Sequence, residues 1–216
     1  MGEIILVRHG QANTGAQTEE EYDRLSELGW QQARWLGAYF RAQEAPFDQV
    51  ITGKLRRHCE TQEAFALPKG AVQRDIRLNE MNYFDLAEEL LAKTGTPMPT
   101  PETLNQHLRT TLLAWENREL QGAESFIAFI DRVADVIDAA AREGGRSLLV
   151  TSGGVIMVAL RRALNLNHAQ MIDMMLPIRN SSVHRFTVSG GTAQLQEYNA
   201  VPHLNQTDRA FGHTVL

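Results

Sequence analysis

A single cysteine, Cys59, excludes an intrachain disulfide and a zinc cage built from cysteines. Basic charge is also scarce: 21 Lys and Arg stand against 26 Asp and Glu, a formal net charge of -5 over 216 residues. Nothing global attracts a nucleic-acid backbone, and no Lys/Arg-rich run marks a membrane surface. Long apolar runs are missing too. None is long enough to cross a bilayer, and the chain opens as a strand, not as a basic segment leading an apolar signal core. Neither nucleic acid nor membrane is an expected partner, and the expected setting is the reduced cytoplasm. There is no internal repeat and no low-complexity tract.

What is present is ordinary for a soluble globular chain: 43% hydrophobic and 22% charged residues, enough for one domain (residues 1–216) with a sizeable core. Residues 4–8 read as a buried strand. After a possible N-cap at Ser26, apolar positions recur at helical spacing from Leu28 to Phe40. Gln49–Thr52 is a second strand, and Arg56–Ala66 a second helix that Leu67-Pro68-Lys69-Gly70 breaks. A brief strand near Val72 leads to Leu78-Asn79-Glu80. Residues 82–121 are helical, more polar and interrupted at residues 95–101, which marks an excursion from the core. A long helix over 124–142 ends at Gly144-Gly145, Ser147–Thr151 is a buried strand, and Gly153–Leu164 a helix. Val183–Val188, a Gly190-Gly191 turn and Ala193–Tyr198 form a hairpin, whose open edge offers a surface for a homodimer.

Strands alternating with helices predict an α/β fold, a three-layer α/β/α sandwich around a mostly parallel sheet. Ligands of such folds bind beyond the carboxyl ends of the strands. Arg8-His9-Gly10 lies at such an end. An arginine fork grips phosphate or carboxylate oxygens at two points, and a neutral imidazole can accept a phosphoryl group on nitrogen. Glycine leaves a backbone amide free to approach. The rival reading of the tripeptide is a solvent-facing strand end.

Further segments decide between them. "LVRHGQA" followed by "LSELGWQQA" at Leu25–Ala33 resembles the start of the histidine phosphatase superfamily, which includes cofactor-dependent phosphoglycerate mutases. "ITGKLRRHCETQEAF" is similar to the family's segment after the second strand: Leu55, Arg57 and Thr61 match, and Gly53 stands where serine is usual. "ESF" at Glu124–Phe126, "LLVTSGGVI" and "NAVPHL" follow in family order. The resemblance spans the chain apart from the excursion. It implies a phosphoglycerate mutase-like fold and a nucleophile at His9, with Arg8 and Arg57 on the phosphoryl oxygens. It implies Glu80 as the acid that protonates the leaving group, and it calls for no metal or other cofactor. Arg57 also fits a solvated helix surface, and Glu80 a surface carboxylate or a partner of Arg77. Flanked by arginines, Glu80 is expected to be ionised until phosphate binds.

The pattern is broken in two places. The family usually reads "VxHGGVIR" where this chain has Val150–Met157, so Ser152 stands in the place of a second histidine and Met157 in that of an arginine. A serine hydroxyl donates one hydrogen bond and carries no charge. Losing one preorganised donor costs about 3–4 kcal/mol, some of which Ser152 recovers. The amides of Gly153 and Gly154, opening a helix, remain an anion site. Near the first strand, Asn13 is out of register with the family's phosphate-contacting asparagine and is assigned to phosphate from a different turn. Among the other histidines, His184 and His58 read as surface residues. His107, His168 and His213 have no motif support, and His203 lies in a family segment without an assignable role. Trp115, Tyr83 and Phe84 are as consistent with packing as with a pocket.

The expected activity is metal-independent hydrolysis of small phosphomonoesters through phospho-His9, slowed by the loss at position 152. Two alternatives stay open: a protein that holds a phosphorylated ligand without turnover, and phosphoryl transfer of the phosphoglycerate mutase type.

Overall fold

A computed structural model describes residues 2–67, 71–190 and 192–215. Its elements are β1 (Gly2–Arg8), α1 (Glu19–Tyr22), α2 (Glu27–Ala42), β2 (Gln49–Thr52), α3 (Arg56–Ala64), β3 (Val72–Arg74), α4 (Tyr83–Thr94), α5 (Leu104–Glu116), α6 (Phe126–Glu143), β4 (Arg146–Thr151), α7 (Gly153–Leu164), α8 (His168–Met175), β5 (Val183–Ser189) and β6 (Thr192–Ala200). Pro68, Lys69 and Gly70 of the expected helix break, and Gly191 of the expected turn, lie outside the described residues.

The six strands run in the order β3-β2-β4-β1-β5-β6, parallel from β3 to β1, with β5 and β6 antiparallel. This is the predicted α/β architecture with a mostly parallel sheet. The continuous apolar run of β1 follows from burial on both faces. Ile5 and Val7 pack with Ala33, Leu36, Phe40 and Phe65 of the α2 and α3 side. Ile4 and Leu6 face the other way, into a cluster that includes Val133, Val136, Val155 and Val158 of α6 and α7. Leu86, Leu90, Leu112 and Trp115 place α4 and α5 in that same cluster.

Local chemistry fixes the helix ends. Ser26 accepts from the Gly29 amide at 3.0 Å, Ser125 from Ala128 at 3.2 Å, and Asn82 from Asp85 at 3.3 Å. α4 ends on Gly95 in the left-handed region, at φ 75°. Register then sets the site. Arg8 lies beside Thr151 and Thr52 beside Val150, so the residues that leave β1, β2 and β4 emerge together at one edge of the sheet.

Candidate active site

His9 and Ser152 leave neighbouring strands side by side, because the His9 amide donates to the Thr151 carbonyl at 2.8 Å. The His9 side chain is 2% exposed. Its Nδ1 lies 2.7 Å from the Gly10 carbonyl, which can only accept, so Nδ1 carries the proton and Nε2 keeps its lone pair. Burial, and then the nearby Arg57, Arg8 and His58, hold the ring well below its ordinary pKa. At neutral pH it is therefore an uncharged imidazole, the form that attacks phosphorus.

Both guanidinium groups sit within electrostatic reach of that ring. Arg8 donates from Nη1 to the carbonyls of Ile178 and Val215, the latter at 2.7 Å. Arg57, 1% exposed, donates to Glu19 at 2.7 Å and to Asp23 at 3.1 Å, and it stacks 4.9 Å from the centre of the Tyr22 ring. Arg8 Nε and Arg57 Nε are buried with no hydrogen-bond partner among the described residues. Two such orphaned donors, on arginines whose charge reaches the His9 ring, suit an incoming anion.

A short strap lies over this centre. Thr18–Asp23 folds as α1 and its cap, bringing Glu19 and Asp23 onto Arg57 and the Tyr22 ring edge-on to His9, centroids 6.3 Å apart. The cluster of acids before the α2 cap is its one signal in sequence.

Glu80 meets the site from the loop after β3. Its Oε2 accepts from the Gly154 amide at 2.9 Å and its Oε1 from the Met81 amide at 3.1 Å. Burial raises its pKa in spite of those bonds and of Arg57 and Arg8. The arginines favour the ionised carboxylate expected from the sequence, and desolvation, the larger effect, acts against them. Of the two amides expected to hold an anion at the start of α7, that of Gly154 is thus given to Glu80. Gly153, beside it, sits at the same helix opening.

Other assignments need revision. The Gly10 amide is not free, since it donates to Thr61 Oγ1 at 3.1 Å. What requires glycine at position 10 is contact: a Cβ there would lie 2.4 Å from the Gly29 carbonyl oxygen. The Asn13 side-chain amide is engaged in an exposed bond, donating to the Glu21 carbonyl at 3.0 Å. His184 is fully buried in β5, bonded to Ser182 Oγ at 3.0 Å, and burial with nearby Arg8 pushes its pKa down to about 3. His203 is buried on Ser181 Oγ at 2.8 Å. Trp115 is 1% exposed and packed on Phe126 and Phe129.

His58 is the largest departure. The polar helix pattern sets it on the surface, yet it is fully buried, its ring centre 5.7 Å from that of His9 and its Nε2 2.6 Å from Ser152 Oγ. Burial and Arg57 hold its pKa well below the ordinary value.

A family model described as histidine phosphatase superfamily (branch 1) matches residues 4–201. No curated protein matches the chain. Among solved structures, a phosphoserine phosphatase from Entamoeba histolytica in complex with phosphoserine superposes with a TM-score of 0.70 at 19% identity, covering 94% of this chain and 100% of that one. The α-ribazole phosphatase from Shigella flexneri gives 0.64 at 18%, over 92% and 96%. A phosphoglycerate mutase from Bacillus anthracis gives 0.68 at 18%, over 98% and 96%. At these identities the likeness is one of fold.

Proposed function

The chain belongs to the histidine phosphatase superfamily, and on that premise we propose that it hydrolyses small phosphomonoesters through a phosphohistidine on His9. The observation that carries this reading is the neutral His9 ring, its Nε2 lone pair free, within reach of the buried Arg8 and Arg57 and of a Glu80 carboxyl raised by burial.

The His9 Nε2 lone pair forms the N–P bond as the P–O bond to the leaving group breaks. The departing oxygen takes the proton of Glu80. Arg8 and Arg57 offset the charge on the equatorial oxygens. In the second half, water attacks phosphorus, its proton returns to the Glu80 carboxylate, and the N–P bond breaks to release phosphate. The guanidinium groups supply the positive charge this route needs. Transfer to water is favoured over transfer to a second hydroxyl, because Ser152 stands where a second charged ring would help retain the intermediate. The Entamoeba and Shigella phosphatases agree with hydrolysis of a phosphomonoester; the Bacillus mutase represents the alternative.

A second reading, a protein that holds a phosphorylated ligand without turnover, draws on the pairing of Arg57 with Glu19 and Asp23. One assay separates them. The protein should release phosphate from p-nitrophenyl phosphate in the presence of a chelator, and His9→Ala should abolish the release. Thermal stabilisation by phosphate with no release would support the ligand-holding reading instead.

A further inference from the structure

We propose that His58, reaching the site from α3, positions the Ser152 hydroxyl as a phosphoryl-oxygen donor, so that the two side chains act as one unit. This inference rests on the phosphohistidine reading above.

Three observations meet at this residue. First, an imidazole is fully buried on a helix that is otherwise strongly polar, Arg56 to Ala64, and it faces the same side as Arg57 and Thr61. Burying a titratable ring against the pull of water needs a reason. Second, its two nitrogens are treated differently. Nε2 is 2.6 Å from Ser152 Oγ, and Nδ1 is buried with no partner among the described residues. An orphaned buried N–H is rarer and costlier than an orphaned lone pair, which places the proton on Nε2. Nε2–H then donates to Ser152 Oγ. That fixes the oxygen and leaves the hydroxyl hydrogen to donate elsewhere.

Third, room has been made for the ring. A Cβ on Gly53 would lie 2.1 Å from His58 Nδ1 and 3.0 Å from its Cε1. The other close neighbour is the Leu78 carbonyl oxygen, at 3.0 Å. Gly53 is not among the glycines with positive φ, so the backbone itself does not demand glycine here. Seat and occupant go together: with any larger residue at position 53 the imidazole would have to leave Ser152.

The target of the freed hydroxyl hydrogen follows from position. Ser152 begins α7 beside the start of His9, and the His58 and His9 rings are 5.7 Å apart at an interplanar angle of 35°. A phosphoryl group on His9 Nε2 presents its oxygens to this corner. Ser152 is then the residue in contact with the phosphoryl group, and His58 is a positioning residue that acts through it.

The test compares His58→Leu, His58→Gln and Ser152→Ala by steady-state kinetics on p-nitrophenyl phosphate. His58→Leu should lower kcat about 10- to 100-fold with KM changed much less, because the donor works mainly on the transition state. His58→Gln retains an N–H at the end of a chain of similar reach and should restore most of the loss. Ser152→Ala should cost as much as His58→Leu, and the double variant no more than either alone, because the two act in series. A His58→Leu kcat within 2-fold of the parent overturns the proposal. So does a His58→Gln variant as slow as His58→Leu, or a double variant whose losses multiply. Should the α3 variants fail to fold, Ser152→Ala alone decides: an unchanged kcat refutes the role. None of these failures touches the phosphohistidine reading, which is tested separately by His9→Ala and by trapping the intermediate.

Discussion

At the residue scale, the chemistry depends on two groups that burial moves toward their uncharged forms. His9 is kept neutral by burial and by its cationic neighbours, and Glu80 is pushed toward its protonated form by burial. That pairing suits a nucleophile and an acid working at one pH. Glu80→Gln keeps the hydrogen-bonding shape and removes the transferable proton. We expect kcat to fall about 100- to 10,000-fold on alkyl phosphates and much less on p-nitrophenyl phosphate, whose leaving group needs little protonation. Equal losses on both substrates would remove Glu80 from proton transfer. Arg8 and His9 were marked by the buried strand that runs into them, and Arg57 by its match to the family's segment after the second strand. His58 was not. Helical spacing alone sets a polar helix on the surface, and the cavity left by Gly53 is visible only in three dimensions.

At the scale of elements, α1 and its cap act on Arg57 as a set of internal anions. The Glu19 carboxylate, about a quarter exposed, is 2.7 Å from the guanidinium, and a phosphate must share that cation or displace it. Glu19→Gln should tighten the binding of inorganic phosphate about 2- to 5-fold by calorimetry, the range of a partly exposed ion pair. Weaker binding would mean that the strap instead holds Arg57 in its working orientation. Helix α2 has a different task. Its first turn packs on the backbone at Gly10, and Gly10→Ala would bring a Cβ to 2.4 Å from a carbonyl oxygen that cannot move alone. That variant should lower Tm by several degrees, and an unchanged Tm would show that the loop after β1 yields easily. Long elements such as α2, α6 and β4 followed from periodicity and caps. α1, four residues long, falls below the length at which periodicity carries a signal.

For the whole molecule, the sheet order brings the ends of β1, β2 and β4 together, and the cost of that assembly is a set of buried histidines. His9, His58, His184 and His203 all have pKa values below the ordinary one, the last two at about 3. Each takes a proton in the unfolded chain from about pH 6.5 downward and stays neutral when folded, so stability falls as pH drops below that point. Glu19 and Glu80, whose pKa values are raised, work in the opposite direction but are fewer. Thermal unfolding should therefore show a lower Tm at about pH 5.5 than at about pH 7.5, with roughly 1 kcal/mol lost per buried histidine. A Tm that rises on acidification would contradict the burial of these rings. The parallel sheet was legible from the order of strands and helices. How α4 and α5 lie in the main core was not, because their sequence is polar overall and the packing is carried by a few positions, Leu86, Leu90, Leu112, Ala114 and Trp115.

The most direct test is to trap the intermediate. The protein is mixed with a phosphomonoester labelled in its phosphoryl group, quenched in alkali within the first turnovers, and its peptides are mapped. The expected result is an acid-labile, alkali-stable label on His9, absent from His9→Ala. Turnover with no covalent label at His9, or with the label on Ser152 or His58, would contradict the account.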